Sequence, residues 1–445
     1  MSPSCLVLFN YDWDRVGFAR WEQAFDIRDA GFDLFSFPSN VRLLGLDLER
    51  FAAGLAAQAR RRGWQAVTSN HEQYGALAAA LLAERMGWPG TPVTAVLACQ
   101  HKLHARRLLQ TLAPEQNPPF QALDWRLGEP IPDGIPYPVF VKPVKAAFSI
   151  LARQVRDRGQ LSALLAFNVW ERWLIRRLLA PFDRVVRRRL PEAGSALRML
   201  LEQPCEGTQY NLDGYVFDGQ VRFLGVVESV MYPGTQAFMR FDYPCALPTR
   251  GRAQAEDLAR RFLGAVGFSH GLFNLEFFYD PARQQLTAIE FNPRMAAQFS
   301  DLYLRVEGID LHRIALELAF GRDPAHLPRQ APSAGQAASF VYRAFDAGAC
   351  PAQPSAGRRQ ALARQFPDAL LFPFPKSAGQ IARDFKWLGS YRHGILHLGG
   401  RDARDLCRRC QTASDILGWR APYAEPLAET FPTGPLPALT LEPSP

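Results

Sequence analysis

The sequence lacks an apolar run long enough to cross a membrane, since nothing in it approaches the ~18 uninterrupted apolar residues of a spanning helix. Its first residues, MSPSCLVLFNYDWD, carry no basic segment. Their apolar run ends at Asn10 and Asp12, so they do not match a signal peptide. We therefore expect a cytoplasmic protein that has no membrane partner.

Cysteine is scarce, with seven residues scattered at positions 5, 99, 205, 245, 350, 407 and 410. An odd count without regular spacing predicts no disulfide framework and fits a reducing compartment. Cys407 and Cys410 form a lone C-x-x-C inside a predicted helix. Zinc normally needs four ligands, and His393 and His397 are the only other candidates nearby. We favour a packing role over a metal site.

Two catalytic signatures are also missing. No Ser-His-Asp or Cys-His arrangement is apparent. No Gly-x-Gly-x-x-Gly follows the first predicted strand, which argues against a Rossmann dinucleotide site.

The first hundred residues alternate between predicted strands and predicted helices. The strands lie at 5–9, 32–37 and 64–69, and the helices at 16–30, 47–62 and 72–86. This alternation predicts a parallel sheet with helices on both faces, which we expect to contact a substrate.

Positive charge is concentrated in one segment. The chain has a formal charge of +8, and residues 153–189 hold ten arginines against three acidic residues. A solvated face of amphipathic helices would explain this pattern, with the apolar residues turned inward: Trp170, Trp173, Leu174 and Leu178. The alternative is attraction of an anionic substrate or RNA. We favour the first interpretation and expect no nucleic-acid partner.

The most informative stretch is a predicted β-hairpin with strands at 272–279 and 286–294. Side chains alternate along a strand, so Asn274 and Glu276 share one face, as do Glu290 and Asn292 on the second strand. If Glu276 pairs opposite Glu290, two carboxylates and an amide oxygen converge. Hard oxygen ligands of this kind suit Mg²⁺, with Mn²⁺ as a substitute, and imply a nucleotide as companion. The alternative is an ordinary solvated hairpin face.

Two lysines precede this hairpin. Lys102 lies in a predicted helical stretch, CQHKLHARRLLQTL, and Lys142 lies within a predicted apolar strand at 139–143. Burying an unpaired ammonium is costly, so Lys142 predicts a bound anion. A lysine on a basic helix is otherwise a surface residue. Further along, a strand at 198–202 ends at Glu202 and is followed by QPCEGTQ.

The remaining segments complete the expected organisation. Asp218-Gly219 predicts a hairpin between strands 210–217 and 220–229. Residues 231–248 predict a long loop with Arg240 near its centre, and loops of that length are usually functional. Aromatic residues give this loop an apolar body, and we expect Arg240 to hold a substrate carboxylate; the alternative is that Arg240 is a solvated loop residue.

Taken in order, these features resemble the ATP-grasp superfamily over roughly residues 100–320. The resemblance implies that Lys102 and Lys142 reach the ATP phosphates, and that Glu202, Gln203 and Cys205 form the hinge that meets adenine. It also implies a metal site at Glu276, Glu290 and Asn292, with Arg294 beside the transferred phosphoryl group. Two residues depart from the common pattern. Ser149 stands in the turn that relatives close over the phosphates, and here this turn lacks their glycines. Gln209 replaces the usual ribose-binding glutamate.

The fold class implied is α/β and α+β: an ATP-grasp fold with a Rossmann-like N-terminal domain and a small C-terminal α+β module. The expected domains are an N-terminal substrate domain at 1–100 and a small lobe with the Arg-rich helices at 101–195. A large lobe with the metal hairpin follows at 196–328, then the C-terminal module at 336–420 and a Pro-rich tail at 421–445.

The resemblance further implies an ADP-forming ligase that activates a carboxylate as an acyl phosphate and joins it to an amine. Its partners would be small-molecule carboxylate and amine substrates, with ATP and Mg²⁺. Homo-oligomerisation stays open. Two alternatives also stay open: an ATP-dependent phosphotransferase, and a nucleotide-binding protein without turnover.

Overall fold

The computed structural model describes residues 2–33, 39–123, 131–145 and 152–423. Of the predicted tail at 421–445, only the first three residues fall within this part. The described residues form fifteen β-strands and thirteen α-helices, arranged around three sheets. None of the described helices is both long and apolar enough to span a membrane.

The N-terminal residues form a three-stranded parallel sheet in the order β2-β1-β3. Its elements are β1 Ser4–Leu8, α1 Asp12–Ala19, β2 Asp26–Ala30, α2 Leu48–Arg62, β3 Ala66–Thr68 and α3 Gly75–Met86. The parallel sheet is confirmed. The predicted helix at 16–30 is wrong in its second half, because that part pairs with β1 as strand β2. The predicted strand at 32–37 falls mainly outside the described residues.

A short turn interrupts the predicted helical stretch around Lys102. The segment forms two helices, α4 Val93–Gln100 and α5 Lys102–Leu112, with His101 between them in a non-helical conformation. The His101 ring caps α5, because Nδ1 accepts a hydrogen bond of 3.2 Å from the backbone N–H of His104. The break puts Lys102 in the first turn of α5.

A small four-stranded sheet follows, in the order β4-β7-β5-β6. Its strands are β4 Phe120–Leu123, β5 Val139–Pro143, β6 Arg153–Val155 and β7 Met199–Glu202, with helices α6 Arg158–Leu165 and α7 Val169–Arg189 inserted before β7. Trp170 is 67% exposed, so the prediction that it turns inward is wrong. It lies in the first turn of α7, while the fully buried side chains of this helix begin at Leu179.

The third sheet has eight strands in the order β12-β11-β8-β9-β10-β13-β15-β14. Its strands are β8 Thr208–Phe217, β9 Gln220–Met231, β10 Phe238–Tyr243, β11 Gly271–Asp280, β12 Gln285–Asn292, β13 Gln336–Ala344, β14 Leu370–Pro373 and β15 Tyr391–Gly400. The accompanying helices are α8 Thr249–Ala265, α9 Ser300–Glu307, α10 Leu311–Ala319, α11 Ala356–Gln365, α12 Ala378–Leu388 and α13 Ala403–Leu417.

Strand β10 contradicts one prediction and connects the predicted C-terminal module to the large sheet. The segment predicted as a long loop at 231–248 contains β10, which pairs with β9 on one side and β13 on the other. Because β13 belongs to the predicted C-terminal module, that module has no sheet of its own and continues the large one. Of its two partners, β9 directly precedes β10 in the chain, whereas β13 lies almost a hundred residues further along and is not apparent locally.

Cross-strand register defines the two faces of this large sheet. Opposite residues share a face, and the pairs Glu276–Asn211, Gln209–Ser229, Ser229–Phe241 and Phe241–Ser339 connect β11 to β13. We call the face that carries these residues the site face. The opposite face packs against α8 and α13.

An aromatic stack supports the hairpin from the opposite face. Phe262 of α8 and Phe291 of β12 stack with ring centroids 3.8 Å apart, and both side chains are buried. Phe291 lies between Glu290 and Asn292 in the chain, so its packing fixes the backbone position from which both polar side chains project onto the site face.

We expect Phe262→Ala to lower the free energy of unfolding by about 3–5 kcal/mol, because it leaves a cavity beneath the hairpin. Urea denaturation followed by circular dichroism measures this change. Phe345, which is 43% exposed, is the matched control. Equal losses for Phe262→Ala and Phe345→Ala would contradict the supporting role of the stack.

Candidate active site

The hairpin pairs in the predicted register, with Glu276 directly opposite Glu290 and Asn274 opposite Asn292. The Glu276 carboxylate accepts two hydrogen bonds of 3.1 Å, one from the Asn292 amide and one from the Gln209 amide. Gln209, predicted to bind ribose, therefore contacts the carboxylate cluster. The structure brings the three predicted metal ligands together.

A β-bulge lies beside these carboxylates, between the pairs Glu276–Glu290 and Phe277–Ala288. The bulge at Ile289 frees a backbone carbonyl from the ladder. Arg106 donates to this carbonyl at 2.8 Å, and the Lys142 ammonium lies 3.5 Å from it. Bulges commonly re-aim side chains next to active sites, and this one holds two cations beneath Glu290.

Lys102 forms an ion pair with Glu290, with Nζ 2.8 Å from Oε2. Burial raises the pKa of the Glu290 carboxyl, but Lys102 and Lys142 outweigh burial and bring that pKa to about 2. Burial, followed by the facing Glu290, raises the pKa of Glu276 to about 8. The two facing carboxyl groups are therefore unequal, and within the described ranges Glu276 forms no ion pair of its own.

Lys142 is buried on β5, as predicted, and its charge partner belongs to the chain itself. Its ammonium lies 2.8 Å from Oε2 of Glu202, and Arg106 donates to Oε1 of the same carboxylate at 2.6 Å. Glu202 therefore supplies a partner for the buried Lys142 ammonium within the chain, and the bound anion stays a prediction. Arg106 was missed as a site residue, although it lies one helical turn after Lys102 and so on the same face.

The predicted hinge follows β7. Gln203 donates its backbone N–H to the carbonyl of Pro119 at 2.9 Å, which ties the hinge to the connector before β4. Burial raises the pKa of the Cys205 thiol to about 11, so it is not a reactive thiolate. A cleft runs beside the hinge and is lined by Glu115, Asn117, Pro118, Pro119, Gln203, Pro204, Cys205, Glu206, Arg283, Gln285 and Thr287.

Arg294 connects the hairpin to the N-terminal domain. Its guanidinium lies 2.7 Å from the carboxylate of Glu72, which follows β3. The fully buried Lys145 donates to the backbone carbonyl of Glu72 at 3.0 Å. Burial lowers the pKa of Lys145 to about 7, with Glu72 opposing the shift. Sequence reasoning missed Glu72, although side chains beyond the carboxyl ends of parallel strands commonly line ligand sites.

The structure does not bring Arg240 to this cluster. Ser149 lies outside the described residues. Arg240 pairs with Phe340 in the ladder and so points to the face opposite the site face. There it forms an ion pair of 2.8 Å with Asp242 and stacks 4.4 Å over the ring of Tyr423.

The C-x-x-C motif lies on α13. Cys407 and Cys410 are free, and Cys410 is buried in the core under α13. Across the described ranges, no three or more His, Cys, Asp or Glu side chains group together as a metal site. The hairpin offers two carboxylates and amide oxygens, a set that Mg²⁺ completes with water and phosphate oxygens.

Comparison with known families identifies the class of protein. Residues 135–301 match the family model for the ATP-grasp domain. With the matching fold, this confirms the resemblance inferred from the sequence, and the chain carries an ATP-grasp domain on an ATP-grasp fold.

Solved structures share this fold over almost the whole chain. The L-amino acid ligase from Bacillus licheniformis superposes with a TM-score of 0.67 at 15% identity, covering 93% of this chain and 98% of that chain. The N5-carboxyaminoimidazole ribonucleotide synthetase from Thermus thermophilus gives a TM-score of 0.60 at 17% identity, covering 93% and 98%. At these identities the likeness is one of fold, and the predicted fold class is confirmed.

A curated relative is more similar in sequence. Carnosine synthase 1 of Gallus gallus is 31% identical over 266 residues, which is 57% of this chain. The match covers 27% of that relative's length, so the chain corresponds to about a quarter of it.

A buried network behind the hairpin generates a pH prediction. Asp213 accepts hydrogen bonds from Tyr303 at 2.9 Å and from Asn274 at 3.1 Å. Burial raises the pKa of its carboxyl from the ordinary 3.8 to about 7, although both hydrogen bonds oppose the shift. Between these two values the folded protein binds more protons than the unfolded chain. Asp213 therefore destabilises the fold progressively as the pH rises from about 4 to about 7.

We expect Asp213→Asn to remove this pH dependence, which is at most ~1.4 kcal/mol per pH unit. Free energies of unfolding measured in urea between pH 4 and 7 test this, with Asp257→Asn, at a 60% exposed side chain, as control. A variant with the wild-type slope would show that Asp213 is ionised throughout.

Proposed function

We propose that this protein is an ATP-dependent ligase that joins a carboxylate to an amine and releases ADP and phosphate. The observation that carries the proposal is the convergence of three cations, Lys102, Lys142 and Arg294, on the facing carboxylates Glu276 and Glu290. The relatives support it, because two of them are named as an amino acid ligase and a carnosine synthase.

ATP would lie along the cleft beside the hinge, with its phosphates directed towards the lysines. Lys142 and Arg106 are held in place by Glu202, and Lys102 is held by Glu290. Charged groups fixed before the substrate binds do not have to reorganise during phosphoryl transfer. The resemblance assigns the adenine contact to Gln203 and Cys205, the ribose contact to Gln209, and the closing turn to Ser149.

The residues fit Mg²⁺, and Mn²⁺ as a substitute. Like charges directly opposite on antiparallel strands destabilise a sheet, and a divalent cation between Glu276 and Glu290 offsets that repulsion. Both residues and Asn292 offer hard oxygen atoms, which Mg²⁺ prefers. When bound, the metal ion would neutralise charge on the transferring phosphate.

The proposed reaction has two steps. A carboxylate oxygen attacks the γ-phosphorus of ATP, the bond to the β-phosphate oxygen breaks, and ADP leaves. The neutral amine then attacks the resulting acyl phosphate, loses a proton and expels phosphate, leaving an amide. Arg294 would stabilise negative charge on the transferred phosphoryl group, and its ion pair with Glu72 holds it in position.

This assignment keeps the protein among enzymes of small-molecule metabolism. Its seven free cysteines fit the reducing interior of a cell, in agreement with a cytoplasmic location.

An ADP-release assay across a panel of amino acids, with mass spectrometry of the products, tests the proposal. Amide products support it, phosphorylated hydroxyl compounds indicate a phosphotransferase, and no product with any pair indicates a nucleotide-binding protein.

We expect Glu290→Gln to reduce Mg²⁺-dependent ADP formation by more than about a hundredfold, because it removes a metal ligand and the partner of Lys102. Glu84→Gln, at a 50% exposed side chain, is the control and should keep full activity. Circular dichroism verifies folding. Normal turnover in folded Glu290→Gln would reject the metal assignment.

Lys142→Ala should weaken ATP binding by about tenfold or more, because it removes a cation that would contact the phosphates. The fold should survive, since Glu202 keeps Arg106 as its partner. Calorimetry without the carboxylate substrate measures the affinity. Arg177→Ala, on the exposed surface of α7, is the control. Equal affinities in the wild type and Lys142→Ala would make Lys142 a structural residue.

A further inference from the structure

Two arginines lie opposite each other at the far end of the large sheet. Arg343 of β13 pairs in the ladder with Arg392 of β15, just beyond a β-bulge. Arg343 is two residues past Val341, which is itself two residues past Ser339. Since side chains alternate along a strand, both arginines belong to the site face.

Like charges directly opposite on antiparallel strands destabilise a sheet, so this pair needs compensation. Among the described residues, Arg392 forms no ion pair, and its guanidinium stacks 4.4 Å over the ring of Phe374. Arg343 donates to the carbonyl of Phe238 and to the Ser390 hydroxyl, both neutral groups.

The acidic group that acts on both arginines within the described ranges is Asp384. Its carboxylate is already paired with Lys376 at 2.7 Å. Burial, followed by the neighbouring Arg343, lowers the pKa of Arg392 to about 10. The described part of the chain thus leaves an excess of positive charge here, a situation that a bound anion relieves.

Tyr11 connects this pair to the proposed reaction centre. It lies within electrostatic range of Glu72 and Arg294 at the proposed reaction centre and also of Arg392. Its ring stacks on that of His71, 4.9 Å away, which fixes it at the edge of the N-terminal domain. A small molecule lying along Tyr11 could therefore reach both Arg294 and Arg392.

We propose that Arg392, supported by Arg343, binds the free carboxylate of the amine substrate, which is therefore an amino acid. The inference rests on the ligase function proposed above. One carboxylate is activated beside Arg294, and the second carboxylate, which must not react, is held away from the phosphates by Arg392. A guanidinium grips a carboxylate with two parallel hydrogen bonds and so orients the amine of the same molecule.

The test compares amino acids with their carboxamides as amine substrates of the full chain. Wild type should prefer the acid. Arg392→Gln should raise KM for the acid about tenfold to a hundredfold, leave KM for the carboxamide and for ATP unchanged, and so abolish the preference. Arg401→Gln, at an 81% exposed side chain, is the control.

Hydroxylamine trapping of the acyl phosphate, without any amine substrate, separates this inference from the proposed function. Trapped hydroxamate in wild type and in Arg392→Gln, together with a lost acid preference, supports Arg392 as the carboxylate site. Trapping without a change in preference rejects this role while the ligase function stands. No trapping in wild type rejects the ligase function itself.

Thermal unfolding distinguishes recognition from a structural role. Because Arg392→Gln removes one of two facing cations, the unliganded variant should be at least as stable as wild type. A large loss of stability together with equally raised KM values for acid and carboxamide would show that Arg392 supports the fold instead.

Discussion

Two carboxylates face each other on neighbouring strands of this protein, and the surrounding charges are arranged to hold them there. Lys102 neutralises Glu290 directly, while Lys142 and Arg106 share Glu202 beneath it. Glu276 accepts hydrogen bonds but forms no ion pair with any residue that the structure describes. In the function proposed above, a divalent cation would stabilise this imbalance, and the lysines, already desolvated and fixed, would receive the phosphates.

The site is assembled from parts of the chain that are far apart in sequence. The small sheet contributes Lys142, the helix after the N-terminal domain contributes Lys102, and the hairpin contributes the carboxylates. Arg294 then reaches back to Glu72 at the end of a parallel strand. Movement of any of these parts would separate charges that neutralise one another, so the electrostatic network also fixes how the domains pack.

Strand register decides which arginines belong to the site. Arg240 and Phe241 are adjacent in sequence, yet their side chains lie on opposite faces of the sheet. Arg392 comes 152 positions after Arg240 and shares the site face through the ladder between β13 and β15. The carboxylate-binding role first expected for Arg240 is therefore better met by Arg392, whose charge has no ion-pair partner among the described residues.

The sequence alone indicated the ATP-grasp fold class, through the resemblance carried by motifs in a fixed order. It also indicated the hairpin and its register, because these depend on short-range alternation. It also determined that Lys142 is buried, from the apolar residues around it. Tertiary structure decided what local patterns cannot encode. Residues 26–30 became a strand because β1 offers a partner, and residues 238–243 became a strand because β9 and β13 lie on either side. Glu72 meets Arg294, and Arg392 joins the site face, only through long-range contacts that no local spacing reveals. Arg106 differs, because its spacing of four residues from Lys102 places it on the same helical face.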